Sequence, residues 1–196
     1  MSAPHIWQNN KKLWPWLVMA LILILTLVLL RSQGRLWICA CGQIYLWVGD
    51  IWSSDNSQHL FDPYAFTHLL HGVVFFWLLA WLVPHIPLLW RLSIAVVIEA
   101  AWEVLENSAF IINRYREATA SLGYEGDAII NSVGDILIMA AGFMVAYKLG
   151  FRRSLILFIV VELILVFWIR DSLLLSVLML IYPIEAIKQW QLALAP

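Results

Sequence analysis

The sequence predicts an all-α fold: a polytopic membrane bundle of about six transmembrane helices with one interfacial or re-entrant segment. Hydrophobic residues make up 63% of the 196-residue chain, and charged residues only 13%. This composition leaves too little polar surface to cover a water-soluble globule of that size. Long apolar runs with tryptophans near many of their ends are typical of helices that cross a bilayer. We therefore expect one integral membrane domain over residues 1–196.

The apolar runs predict six spans, at residues 13–30, 63–83, 87–112, 127–147, 154–169 and 172–187. The first follows Lys11 and Lys12 and is too long for a signal-peptide core, so we expect it to be retained. Asp62 and Pro63 suit the start of the second span, because Asp favours the N-cap and Pro the first helical turn. Asp127 is expected to cap the fourth span in the same way. The last two runs are short, and one kinked unit is the alternative.

Residues 35–61, the interfacial segment, are too interrupted by polar residues to cross a membrane and too aromatic for a free loop. We expect them to lie over the bundle. Cys39 and Cys41 are separated by one residue, and a disulfide across so short a gap would be strained. They are expected to be packed or interfacial thiols, and a redox or metal role would need exposed sulfur with a low pKa.

Basic residues in the loops favour an N-terminus and a C-terminus that are both cytoplasmic. This orientation places seven of the twelve lysines and arginines inside. The formal net charge is −1 and the basic residues are scattered. A nucleic-acid-binding protein is therefore excluded, and membrane lipid is the expected surrounding partner.

Polar residues recur at helical spacing inside segments that are otherwise apolar: Glu99, Glu103 and Glu106 in one, and Asp127, Asn131 and Asp135 in another. Each set lies on one face of its helix, since residues four apart are separated by about 40° at ~100° per residue. An ionisable group inside a bilayer costs about 2.5–3.5 kcal/mol, so such groups mark functional sites. The two sets predict a site that faces protein or water.

His68 and His71 occupy the first turns of the second predicted helix, at i and i+3. If consecutive helices alternate in direction, the start of the second, the end of the third and the start of the fourth lie on the same side of the membrane. The histidines and both acidic sets should then meet in one pocket in the outer half of the membrane.

Imidazole nitrogens and carboxylate oxygens are usual ligands of divalent cations such as zinc, magnesium and manganese. We therefore expect a divalent metal ion, with His68, His71 and Asp127 as its ligands and Asp135 as the alternative aspartate. The predicted catalytic residues are Glu103, Glu106 and Asp135. The predicted substrate-binding residues are Arg114, Arg116, Asn107 and Asn131, because guanidinium donors suit an anionic headgroup.

Purely structural roles remain open, because the spacing of these residues is not diagnostic of a metal site. The histidines could serve simply as hydrogen-bonding residues between helices of the bundle. The glutamates could pair with Arg114, Arg116 or the histidines, and Asp127 could be only a helix cap.

Several motifs carry a resemblance to known proteins: Leu46-Trp47-x-Gly49-Asp50, His68-x-x-His71-Gly72, Trp102-Glu103-x-x-Glu106-Asn107-Ser108 and Gly126-Asp127-x-x-x-Asn131-Ser132-x-x-Asp135. Over nearly its whole length the chain resembles an uncharacterised family of bacterial inner-membrane proteins. That resemblance implies an inner-membrane location and no particular activity. More distantly, residues 62–142 are similar to the VanZ-like membrane proteins associated with teicoplanin resistance, which implies work at the cell envelope.

A further likeness is to lipoprotein signal peptidase, which also carries two aspartates in a small helical membrane protein. This chain departs from that pattern in two places. The run from Asn131 to Asp135 has one residue too many, and Asn113-Arg114 lacks the expected aspartate.

The leading hypothesis is a metal-dependent membrane enzyme, a hydrolase or transferase, that acts on a lipid or lipid-linked envelope substrate at the outer face of the inner membrane. One alternative is a non-catalytic carrier or binding protein coupled to cations or protons, in which the same carboxylates relay charge. Others are a structural subunit of a membrane assembly and, with less support, an intramembrane aspartyl peptidase.

Overall fold

The computed structural model describes residues 5–121 and 123–194, with side chains described from residue 13 onward. These residues form seven helices and no strand: α1 (His5–Ser32), α2 (Ala65–Leu82), α3 (Leu88–Glu106), α4 (Ala109–Ala118), α5 (Ile129–Ile169), α6 (Leu173–Ile181) and α7 (Glu185–Leu192). The predicted all-α class is confirmed.

Two of these helices are long and apolar enough to cross a membrane, α2 and the Leu13–Ser32 part of α1. Helices α5 and α6 meet at 72° and add a third span if they form one broken unit. The prediction of six spans is therefore reduced to two or three within the described residues. One reason is that α3 carries Arg91 and three glutamates within 19 residues. Another is that the sixth predicted span is divided between α6 and α7.

Helices α2 and α5 pack backbone against backbone, and their small residues permit it. A Cβ added to Gly72 of α2 would lie 1.9 Å from the carbonyl oxygen of Met139, and one added to Gly142 of α5 would lie 2.0 Å from that of Leu69. Glycine at such crossings lets two helices approach closely. This contact holds the start of α2 beside the first turns of α5.

Helix α5 reverses direction at Gly150, where the backbone is not helical (φ 70°, ψ 173°). Before the break, Tyr147 packs against Phe76, near the end of α2. After it, Trp168 packs against Phe66, at the start of α2. The two halves of α5 therefore run in opposite directions along α2.

The third predicted span, residues 87–112, ends earlier than expected. Helix α3 stops at Glu106, and the Ser108 hydroxyl accepts a hydrogen bond from the Ile111 N–H to cap α4. The short break gives the chain a new direction, so α4 does not continue α3. Its effect is to leave Glu106 at the end of a helix, beside the start of α5.

Asp127 does not cap α5, which corrects the prediction. The N–H groups of Ile129 and Ile130 donate instead to the carbonyl oxygens of Leu36 and Trp37, at 2.8 and 3.1 Å. Backbone carbonyls of the interfacial segment thus satisfy the first N–H groups of the helix, which need partners from outside it. The interfacial segment lies over this end of α5, and the Asp127 carboxylate is left for other contacts.

Cys39 and Cys41 form a disulfide, so the expectation of free thiols is wrong. The Gly42 N–H donates to the Cys39 carbonyl in a tight turn, with Gly42 at φ 74°. This turn brings the two cysteine Cα atoms to 5.1 Å, which is within the usual range for a disulfide. The turn therefore permits a disulfide between two cysteines that are separated by one residue.

Candidate metal centre

Two histidines on α2 share one carboxylate from α3. The Nδ1 atom of His68 lies 2.6 Å from Oε1 of Glu99, and Nδ1 of His71 lies 3.0 and 3.1 Å from its two oxygens. Glu99 is fully buried. An ionised carboxylate only accepts hydrogen bonds, so each ring donates Nδ1–H, and a neutral ring keeps its lone pair on Nε2. A carboxylate behind Nδ1–H is the usual support of a metal-binding imidazole.

Asp135 of α5 faces the other nitrogen of His68. Its Oδ2 lies 4.0 Å from His68 Nε2, and its buried Oδ1 has no hydrogen-bond partner among the described residues. Metal bonds to nitrogen and oxygen are about 2.0–2.2 Å, so one ion between these two atoms could bind both. The His71 ring lies 5.0 Å from that of His68 and borders the same cavity. His68 and Asp135 are therefore candidate ligands of one ion, with His71 beside them and Glu99 behind both rings.

A second group of carboxylates lies next to the first. Oxygen atoms of Glu103, Glu106 and Asp127 lie within 4.8 Å of one another. Asn107 Nδ2 and the Tyr124 hydroxyl donate to the two oxygens of Asp127, at 2.8 and 2.9 Å. Burial raises the pKa of Asp127 to about 6, while these two hydrogen bonds lower it. Burial therefore disfavours the ionised form of Asp127, and the two hydrogen bonds compensate for this only in part.

The predicted metal ligands are divided between the two groups. His68 and His71 meet Glu99, whereas Asp127 lies with the glutamates at the end of α3. Asp135, predicted as catalytic, is the aspartate that faces His68. Asp127 precedes α5 and Asp135 lies about two turns into it, so the aspartates share Glu103 as a neighbour but otherwise reach different side chains. Glu99 was placed in the predicted pocket with Glu103 and Glu106 but was given no role there, and its contact with both histidines is new from the structure.

The two predicted arginines do not line the cavity but donate to the backbone of residues that do. Arg114 Nε donates to the carbonyl oxygen of Leu180, and Arg116 Nε donates to that of Tyr124. These bonds connect α4 to neighbouring backbone, and neither arginine borders the cavity. Arg35 of the interfacial segment does border it, and donates to the carbonyl oxygen of Glu125. Sequence reasoning missed Arg35, because its position follows only from the fold of that segment.

The two predicted asparagines belong to the polar network around the site. Asn107 is buried and exchanges hydrogen bonds with Asp127, its Oδ1 accepting from the Asp127 N–H at 2.7 Å. Asn131 borders the cavity and donates to the carbonyl oxygen of His59 at 2.9 Å. Both amides therefore have protein partners that hold their orientation.

A cavity of about 940 Å³ extends from the interfacial segment to these side chains. Among its described lining residues, Arg35 is the one arginine or lysine. Seven carboxylic acids also line it: Asp55, Asp62, Glu106, Glu125, Asp127, Asp135 and Asp171. A cleft lined by one sign of charge concentrates ions of the opposite sign. The cavity therefore favours a cation.

A separate set, of Cys39, Cys41, Asp55 and His59, also places potential ligand atoms within 4.8 Å of one another. The sulfurs are joined in the disulfide. His59 Nδ1 accepts a hydrogen bond from the Tyr45 N–H at 3.2 Å, so the neutral ring carries its proton on Nε2. Neither the sulfurs nor Nε2 then offer a good metal ligand, and we do not assign a metal to this set.

Comparison with known proteins agrees with the predicted uncharacterised bacterial family. The model of "Protein of unknown function (DUF2585)" matches residues 30–193. The chain is 47% identical to a UPF0314 protein of Sphingopyxis alaskensis over 90% of its own length and 94% of the relative's. It is 44% identical to a UPF0314 protein of Paracoccus denitrificans over 99% of its length and 100% of the relative's.

No solved structure matches the chain. The distant likeness to VanZ-like proteins stays a prediction. The family model spans most of the chain, and the relatives cover nearly all of it at more than 40% identity. The chain therefore belongs to the DUF2585 family of proteins of unknown function.

Proposed function

We propose that the protein is a metal-dependent membrane enzyme, a hydrolase or transferase, that acts on a lipid or lipid-linked envelope substrate at the outer face of the inner membrane. The observation that carries this proposal is the pair of histidines oriented by Glu99, of which His68 also faces Asp135. A divalent ion held there would polarise a substrate oxygen or lower the pKa of a bound water. Glu103 and Glu106 are the candidate bases, and Glu106 borders the cavity.

The cavity supports a small-molecule or headgroup substrate. Its volume of about 940 Å³ falls in the usual range for ligand pockets, about 300–1,000 Å³. It lies at the N-terminal end of α2. Because α2 is long and apolar enough to cross a membrane, this end would reach the headgroup level of the bilayer. Arg35 supplies the guanidinium that an anionic headgroup needs, in place of the predicted Arg114 and Arg116.

A second candidate function is a cation- or proton-coupled carrier. His68 lies between Glu99 and Glu103, at 2.6 and 3.4 Å from their oxygens, and Glu103 in turn lies beside Glu106. Such a series of buried ionisable groups is typical of proton pathways in membrane proteins. The aspartyl-peptidase alternative has less support, because Asp127 and Asp135 belong to different carboxylate groups.

Turnover in the absence of a gradient tests the enzyme proposal against the carrier. We would mix the purified protein, in detergent micelles with Mg²⁺ or Zn²⁺, with phosphatidylglycerol or a polyprenyl diphosphate and follow the phosphorus by ³¹P NMR. We expect a new phosphorus resonance that depends on metal and stops on addition of EDTA. No reaction in micelles, together with cation flux in sealed vesicles that follows an imposed proton gradient, would support the carrier instead.

Glu99→Gln is expected to weaken metal binding by about 10- to 100-fold, since that is the usual cost of losing a carboxylate behind a metal-binding histidine. The substitution keeps the shape of the side chain but removes the charge that orients both Nδ1–H groups. Zinc affinity would be measured by calorimetry in detergent micelles. Glu162→Gln is the matched control, because this buried glutamate accepts from the N–H groups of Leu173 and Leu174, outside the site. Equal zinc affinity in Glu99→Gln and the wild type would contradict the role assigned to Glu99.

A further inference from the structure

Glu103 is a buried acid whose carboxylate makes no hydrogen bond and has His68 Nδ1, 3.4 Å from Oε1, as its ion-pair partner within the described chain. Its side chain is 0% exposed, and neither Oε1 nor Oε2 has a hydrogen-bond partner within the described chain. Glu106 Oε2 is buried and unpartnered in the same way. Burying an ionised carboxylate without compensation costs several kcal/mol, so such groups are normally paired or bound to a metal.

Glu103 belongs to both groups of potential ligands. Its carboxylate lies within 4.8 Å of ligand atoms of His68 and Asp135, and also within 4.8 Å of those of Glu106 and Asp127. Neither oxygen makes a hydrogen bond, so both are available to a cation. A carboxylate placed between two sets of ligands is suited to bridge two metal ions, which lie about 3.5–4 Å apart in such centres.

The protein offers little positive charge to balance these acids. The described ion pairs of Glu99, Glu103 and Asp135 all involve His68 or His71. Neither lysine nor arginine is paired with Glu103, Glu106 or Asp127 in the part of the chain that the structure describes, and Arg35 donates to a backbone carbonyl. A cation from outside the chain would supply the missing charge.

We propose that Glu103, Glu106 and Asp127 hold a second divalent cation beside the histidine centre, with Glu103 bridging the two ions. This inference rests on the proposed function, and it assigns Glu103 and Glu106 to cation binding rather than to proton abstraction. The second ligand set contains only carboxylate oxygens, which suit hard cations such as Mg²⁺ and Mn²⁺. The centre is then of the two-metal kind, in which both ions contact the reacting group.

Loading the purified protein with Mn²⁺ tests this proposal. We expect about two Mn²⁺ per chain by elemental analysis after dialysis, with the exchange-broadened EPR signal of two neighbouring ions. Glu103→Gln should lose that signal and retain about one ion or none. Glu106→Gln should lose the second ion and keep the first. Glu162→Gln should match the wild type, and circular dichroism would confirm that each variant remains folded.

The possible failures are distinguishable. If the wild type binds one Mn²⁺, and this ion is lost in the His68→Ala/His71→Ala double variant, the second site is wrong and the histidine centre stands. If Glu103→Gln and Glu106→Gln both keep two coupled ions, the assignment of the ligands is overturned. If the wild type binds no Mn²⁺ and no Zn²⁺, both the second site and the proposed function fail.

Discussion

Replacing His68 and His71 together with alanine is expected to abolish metal binding at the histidine centre and, with it, metal-dependent turnover. Both rings are held with Nδ1 on Glu99, so the variant removes the two nitrogen ligands. Loss of a supporting carboxylate alone costs about 10- to 100-fold in metal affinity, and loss of two direct ligands should cost more than about 100-fold. Zinc content after dialysis and the ³¹P NMR assay would measure both effects.

His85→Ala is the matched control for the double variant. His85 is exposed in the loop between α2 and α3, away from the cavity, so its removal should leave zinc content and turnover unchanged. Removing the two site histidines also leaves Glu99 buried without a partner, so circular dichroism must show that the double variant keeps its helices. A folded double variant with unchanged zinc content would reject the histidines as ligands.

Gly72→Val is expected to disrupt the packing of α2 on α5 and to prevent formation of the site. The first side-chain carbon would lie 1.9 Å from the carbonyl oxygen of Met139 and 2.6 Å from the backbone nitrogen of Phe143. Overpacking against movable side chains costs about 1–3 kcal/mol, and backbone atoms yield less, so we expect a loss at or above the top of that range. Thermal unfolding in detergent, followed by circular dichroism, would measure it.

Gly123→Val provides the comparison, because a Cβ at Gly123 meets no atom of the described, non-adjacent residues within 4 Å. It should unfold within a few degrees of the wild type, since a surface substitution usually changes stability by less than about 0.5 kcal/mol. If Gly72→Val unfolded at the same temperature as Gly123→Val, the close approach of α2 and α5 would be wrong, and the site geometry with it.

Several site residues could be identified from the sequence because ionisable groups stand out in apolar segments. His68, His71, Glu103, Glu106, Asp127 and Asp135 were all singled out in this way. Their shared location was also predictable, because alternating helices bring the start of α2, the end of α3 and the start of α5 to one side. The spacing of residues along a helix does not determine how that helix is rotated about its axis against its neighbour. For this reason pairing between the glutamates and the histidines stayed one of several alternatives, and Glu99 was not identified as the partner of His68.

The roles of the arginines illustrate the same limit. Arg114 and Arg116 follow the third predicted span, so their sequence position suggested the mouth of the site. The break at Ser108 gives α4 a new direction, and Arg114 donates to the backbone of α6. Arg35 reaches the cavity because the interfacial segment lies over the start of α5, and nothing in its local sequence indicates that contact.

By itself, the sequence determined the helical class, the membrane-like composition and the identity of the acids and histidines of the candidate site. These follow from the composition of the apolar runs and from the helical spacing of the polar residues within them. Only the tertiary structure decided which carboxylate faces which imidazole, where α5 turns back, and that Cys39 and Cys41 are bonded. The physical reason is that such contacts join residues far apart in the chain, as His68 and Glu99 are, or depend on a single turn. Backbone approach at Gly72 and Gly142 sets the positions of the helices, and that approach becomes visible only when both helices are in place.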